Sequence, residues 1–153
     1  MKRRHVLFMA AEAASTIPSW AAERPELPRS KSLKDEARMA ADGGHPLIVM
    51  VSLAGCPPCD WVRASYLVPL LRESRQPIVQ VDFQSQQALV DFQGRKRTED
   101  DLVREWGIHA APTLLFFGRD GRELAPRLAG ASIPDFYGAY LDERVKLAQD
   151  SLR

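Results

Sequence analysis

The chain has only two cysteines, Cys56 and Cys59, and they stand three positions apart directly behind the apolar run Leu47-Ile48-Val49-Met50-Val51. A disulfide across so short a loop is a poor staple for a fold, because the entropy a cross-link removes from the unfolded chain grows with the loop it closes. The apolar run fits a buried strand, and Pro57 and Pro58 between the cysteines fit the first turn of a helix. At such a helix start, free N–H groups and the positive end of the dipole favour one thiolate, and the second thiol lies within reach of it. These residues point to a reversible dithiol. The alternatives are idle thiols, a structural disulfide, or half of a zinc site. Zinc would have to recruit His5, His45 or His109, none of which is paired at the short spacing that ordinarily completes such a site.

With 153 residues the chain is sized for one domain, large enough to bury about two-thirds of its unfolded surface. Its 21 basic and 20 acidic side chains nearly cancel, and no basic block interleaved with aromatics points to nucleic acid. Lys2-Arg3-Arg4, the apolar stretch Val6 to Ala11 and then Ser19-Trp20-Ala21 follow the order of a signal peptide over residues 1–21, with Glu12 interrupting it. Export, to a periplasm or elsewhere outside the cytoplasm, is the expectation, and a frayed cytoplasmic extension is the alternative. Residues 22–30, with Pro25 and Pro28, are expected to form an extended spacer, and residues 31–153 the domain. No later run approaches the ~18 apolar residues of a membrane span, so no stable membrane insertion is expected after processing, and the chain is expected to be a monomer.

Along the domain, Ser32 caps a helix that Gly43-Gly44 ends, Leu47 to Leu53 is a strand, and helical spacing runs from Pro57 to about Ser74 with Pro69 interrupting it. Ile78 to Phe83 is a second strand, residues 84–97 are illegible, and Thr98 caps a helix reaching Trp106 and Gly107. Thr113 to Phe117 is a third strand, Arg119 to Arg122 a turn, and Glu123 to Leu128 its antiparallel return. Ser132 and Pro134 start a last helix whose apolar residues are Phe136, Tyr140, Val145 and Leu147. This order implies an α/β fold with a central mixed sheet and helices on both faces.

Three features together resemble the thioredoxin family: Cys56-Pro57-Pro58-Cys59 after a strand, Gly107 to Thr113 with Pro112 before the next-but-one strand, and Gly130 after the hairpin. The resemblance covers roughly residues 31 to 148. It is nearest to periplasmic thioredoxin-like proteins, including those associated with bacterial sulfur oxidation, through the string ending at Trp61, the insertion before Thr98, and Arg127 to Gly130 followed by Pro134 and Phe136. It implies a thioredoxin fold and a thiol–disulfide oxidoreductase with no cofactor beyond the redox-active Cys56–Cys59 disulfide. Cys56 would be the exposed attacking thiol and Cys59 the partly buried resolving one. A cis peptide between Ala111 and Pro112 would face them, and Pro57, Pro58, Ala111, Pro112 and Gly130 would contact substrate.

The implied partners are protein disulfides and a membrane thiol electron donor, with reduction the expected direction. A disulfide oxidase or isomerase, and a non-catalytic redox-sensing binding module, are the other functions compatible with the motif. Two departures from the family pattern bear on mechanism. Gly55 stands where thioredoxins have a tryptophan, and Met50 where they have a buried aspartate that relays protons to the second thiol. Neither Pro57 nor Pro58 has an N–H to offer sulfur, which leaves the amides of Cys59 and Asp60 as the nearest donors. With the Asp60 carboxylate opposing the helix dipole, the Cys56 thiol is expected modestly below its ordinary pKa. His109 reads as a surface imidazole, and Trp61 and Trp106 as core or helix-face residues.

Overall fold

The computed structural model describes residues 25–152; the signal-peptide reading of residues 1–21 lies outside the described residues. Helix α1 (Leu33–Asp42) starts where Ser32 Oγ accepts from the Asp35 amide and ends at Gly43, as the sequence predicts. Strand β1 (Leu47–Ser52) is buried along its whole length. Behind the cysteine motif, α2 (Pro57–Val62), a π-helical segment (Arg63–Leu67) and α3 (Val68–Glu73) follow without a break. Pro69 explains that division. It has no N–H for the carbonyl of Ser65, and in an α-helix its ring would press on that carbonyl. The wider turn, in which the Val68 N–H donates to Arg63 O, takes up the mismatch.

Strand β2 (Ile78–Asp82) pairs parallel to β1. The stretch that the sequence leaves illegible is a small hairpin, β3 (Ala88–Val90) and β4 (Lys96–Thr98). Its turn is closed by Asp91, which accepts from the amides of Gln93 and Arg95 and from Arg95 Nε. Helix α4 (Glu99–Glu105) opens on a reciprocal cap, the Thr98 hydroxyl accepting from the Asp101 amide and the Asp101 carboxylate accepting from the Thr98 amide. Strands β5 (Thr113–Phe117) and β6 (Leu128–Ala129) and helix α5 (Tyr137–Asp150) complete the domain.

The main sheet has the order β2-β1-β5-β6, with β5 antiparallel to both β1 and β6. Alternation along β1 supplies both cores. Leu47, Val49 and Val51 pack with Leu33, Ala37, Leu102 and Val103 beneath α1 and α4. Ile48 and Met50 pack with Cys59, Val62, Leu67, Tyr137 and Leu141 on the opposite face. Each Leu, Ile, Val or Met among them contributes roughly 1.5–3 kcal/mol when removed from water. The expected mixed sheet with helices on both faces is what forms.

Three expectations need correction. Residues 25–30 are extended but not a free spacer: Leu27 is buried, the Gln80 amide donates to Pro28 O, and the Ser30 amide donates to Gln80 O, so the arm lies along the outer edge of β2. The return from the turn is not a strand from Glu123 to Leu128. A single bridge joins Phe117 to Glu123, and pairing resumes only at Leu128, past Pro126, which has no N–H to donate. In the last helix, Pro134–Phe136 form a 3₁₀ turn and α5 begins at Tyr137. Its inward residues are Tyr137, Leu141 and Ala148, while Phe136, Tyr140 and Leu147 are exposed.

Candidate active site

Strand β1 delivers the chain to the end of the sheet, and Leu53, Ala54 and Gly55 turn it into α2. Gly55 makes the turn at φ +69°, a conformation that side chains resist, although a Cβ there would touch nothing within 4 Å. Cys56 is the N-cap of α2, with Pro57 and Pro58 in the first turn. The two sulfurs are joined in a disulfide, with a Cα–Cα distance of 5.3 Å. Cys56 is half-buried and Cys59 fully buried, packed in the same cluster as Met50.

The Cys59 N–H donates to Cys56 Sγ at 3.2 Å. The Asp60 amide does not, since it donates to Cys56 O at 3.1 Å in the ordinary helical manner. One backbone donor, not two, therefore reaches the first sulfur. The loop before β5 closes the other side. Its Ala111–Pro112 peptide is cis, and Ala111 O lies 3.9 Å from Cys56 Sγ. Pro112 is buried, and its carbonyl accepts from the Gly130 N–H at 2.7 Å, which fixes the β5–β6 edge against the loop. Gly130, like Gly55, is held at positive φ, here +73°.

Thus Cys56, Cys59, Ala111, Pro112 and Gly130 converge at one end of the sheet, while Pro57 and Pro58 are exposed beside them. Trp61 leaves the same helix to meet Tyr66 and Tyr137 edge-on, with ring centres 5.2 and 5.7 Å away. Burial, with a smaller contribution from Tyr66, pushes the Tyr137 phenol well above its ordinary range, so it stays neutral. His109 is exposed, and Trp106 packs half-buried beside Phe117. Among the described residues no group of three or more His, Cys, Asp or Glu is placed to hold a metal ion, and no helix is long and apolar enough to cross a membrane.

Arg63 is the residue that sequence reasoning missed. It lies one turn after Cys59 and donates to Ser52 Oγ at 3.0 Å, to Gln80 Oε1 at 3.0 Å and to Asp60 Oδ1 at 2.7 Å. The available signal was a pair of polar residues, Ser52 at the end of the apolar strand β1 and Gln80 in the middle of β2. Both lie on the sheet face that receives α2. Beside this group, a cavity of about 590 Å³ is lined by Asp60, Arg63, Ala64 and Gln80 and by the arm residues Pro25, Glu26, Leu27 and Arg29.

Residues 33–144 match the family model for a thioredoxin-like domain. No curated protein matches the chain by sequence. Among solved structures, Fasciola hepatica thioredoxin is similar at 19% identity and a TM-score of 0.50, over 78% of this chain and 97% of that one. Mitochondrial thioredoxin 3 of Saccharomyces cerevisiae, in its oxidised form, gives 17% identity and 0.50, over 78% and 93%. Spinach chloroplast thioredoxin f gives 16% and 0.50, over 80% and 96%. At these identities the likeness is one of fold. A Cys-x-x-Cys disulfide at a helix start in that fold equips the chain as a thiol–disulfide oxidoreductase, and the chain belongs to the thioredoxin-like domain family.

Proposed function

We propose that this protein reduces protein disulfides, with Cys56 attacking and Cys59 resolving. The observation that carries the assignment is the asymmetry of the pair: Cys56 is half-buried at the helix N-cap with an N–H donor on its sulfur, and Cys59 is fully buried behind it. The Cys56 thiolate attacks one sulfur of the substrate disulfide, whose S–S bond breaks, and the departing sulfur takes up a proton. Cys59 then loses its proton and attacks Cys56 Sγ, which releases the second substrate thiol. Two electrons pass to the substrate, and the Cys56–Cys59 disulfide seen here is the product. A thiol electron donor in a membrane would restore the dithiol.

Nearby groups support a substrate-facing edge. Ala111 is small and apolar, Pro112 is held by Gly130, and Gly55 adds no bulk beside Cys56. Met50 leaves no carboxylate on β1 behind Cys59, so the proton leaving the second thiol passes to solvent or to a substrate group. The reading of residues 1–21 as an export signal supports action outside the cytoplasm, and the resemblance of the sequence motifs to periplasmic thioredoxin-like proteins points the same way.

The test is exchange in both directions, combined with the equilibrium of the dithiol against glutathione. Reduction of a protein disulfide and a potential near or below about −250 mV are expected, whereas a value near −120 mV would make the protein an oxidant. If the reduced form reduces no disulfide and the oxidised form oxidises no dithiol, the exchange reading fails. A redox-sensing module with one stoichiometric partner then takes its place.

A further inference from the structure

The Arg63 side chain is only 13% exposed, although its partner Asp60 is 68% exposed. A guanidinium spends burial on a surface carboxylate only if other contacts hold it, and here they do. Ser52 ends β1 just before the turn into the dithiol, and Asp60 directly follows Cys59. One side chain therefore clasps the chain on both sides of the two sulfurs. Through Gln80 the clasp continues, since Gln80 Nε2 donates to Asp82 Oδ1 at 2.8 Å. Asp82 pairs in turn with Arg29 of the arm, which also reaches the buried Glu99 at 2.9 Å.

We propose that Arg63 is a positioning residue for the dithiol: it holds the Asp60 carboxylate to itself and so keeps that charge from opposing ionisation of Cys56. The proposal rests on the exchange reading only in making the Cys56 thiolate the reacting group. A carboxylate in the first turn of a helix works against the dipole that favours a thiolate at the N-cap. Pairing it with a guanidinium at 2.7 Å replaces a full charge by a short dipole, whose field falls off faster with distance. The remaining charges around α2 are already engaged or lie further along the same groove. Asp82 of β2, Arg29 of the arm and Glu99 of α4 bond one another, and Glu26 lines the cavity beside Asp60. His109 is exposed on the loop that carries Ala111.

The test is the pH dependence of Cys56 alkylation by iodoacetamide in the reduced full chain, with thermal unfolding recorded for every variant. Arg63→Met is expected to raise the Cys56 pKa by about 0.3–1 unit, which slows alkylation at neutral pH roughly 2- to 10-fold. Adding Asp60→Asn should bring it back, and Arg63→Lys should keep most of the wild-type value. An Arg63→Met titration within about 0.1 unit of wild type, or no recovery on adding Asp60→Asn, overturns the proposal. If Arg63→Met does not fold, Asp60→Asn alone decides. It leaves the guanidinium uncancelled and should lower the Cys56 pKa, and an unchanged value again overturns the proposal. These titrations need no turnover, so a protein that exchanges no disulfide would still return them.

Discussion

The two faces of the sheet draw alternate residues from the same β1 strand, yet they are built differently. Beneath α1 and α4 the buried core is aliphatic except for Phe117, on which Phe92 and Trp106 pack, and both helices begin on side-chain caps. On the other face, the sulfurs, the edge-on and tilted rings of Trp61, Tyr66 and Tyr137, and the half-buried Arg63 group join the aliphatic residues. There the helix behind the dithiol changes to π geometry at Arg63, and α5 starts without a side-chain cap. One face is spent on stability, and the other carries chemistry at some cost in regularity. Irregular elements in this fold are therefore a guide to the site.

The sharpest way to break this contrast is a matched pair of truncations. Leu33→Ala, at a fully buried position under the aliphatic face, should lower the unfolding free energy by about 2–5 kcal/mol and leave the exchange rate per folded molecule unchanged. Met50→Ala, fully buried beside Cys59, should cost a similar amount and also alter exchange. Urea unfolding and a disulfide-reduction assay on both variants check this. Equal effects on exchange would mean that the two faces are not functionally separate.

A smaller effect tests the aliphatic side alone. Burial pushes the Asp91 carboxyl up, but the hydrogen bonds and charge of Arg95 and the Gln93 amide outweigh it and hold the group below the usual carboxylate range. A group whose folded pKa is depressed contributes stability above its unfolded pKa, about 3.9, and loses it as pH falls through the folded value. Asp91→Asn should therefore cost about 1–2 kcal/mol at neutral pH. The gap from wild type should narrow as the pH drops below about 4, as read from urea unfolding at pH 7 and pH 3. A gap that stays constant with pH would remove the charge from this account.

The same contrast decides what could be read from the sequence. Ser32, Gly43, Thr98 and Gly107 mark helix ends by local chemistry, and the β-branched runs of β1 and β2 are buried on both faces, so these elements are legible without a partner. The cysteine pair, Pro112 and Gly130 are likewise single-residue signals, and the fold brings them together. Tertiary context decides the rest. Strands β3 and β4 are too short to show a period, and their turn is closed by one carboxylate, Asp91. The inward face of α5 is misjudged because the helix starts at Tyr137 and not at Ser132. Arg63 reads as one more polar helix position until Ser52 and Gln80 are seen across from it.

Capture of the mixed disulfide tests the central claim most directly. The reduced Cys59→Ser variant is incubated with a disulfide-bonded protein substrate, and the adduct is mapped by mass spectrometry. The account predicts a stable adduct through Cys56 with Cys59→Ser, and little or none with the matching Cys56→Ser variant. An adduct that forms equally well through Cys59, or fails to form through Cys56, would contradict the assignment of attacking and resolving thiols.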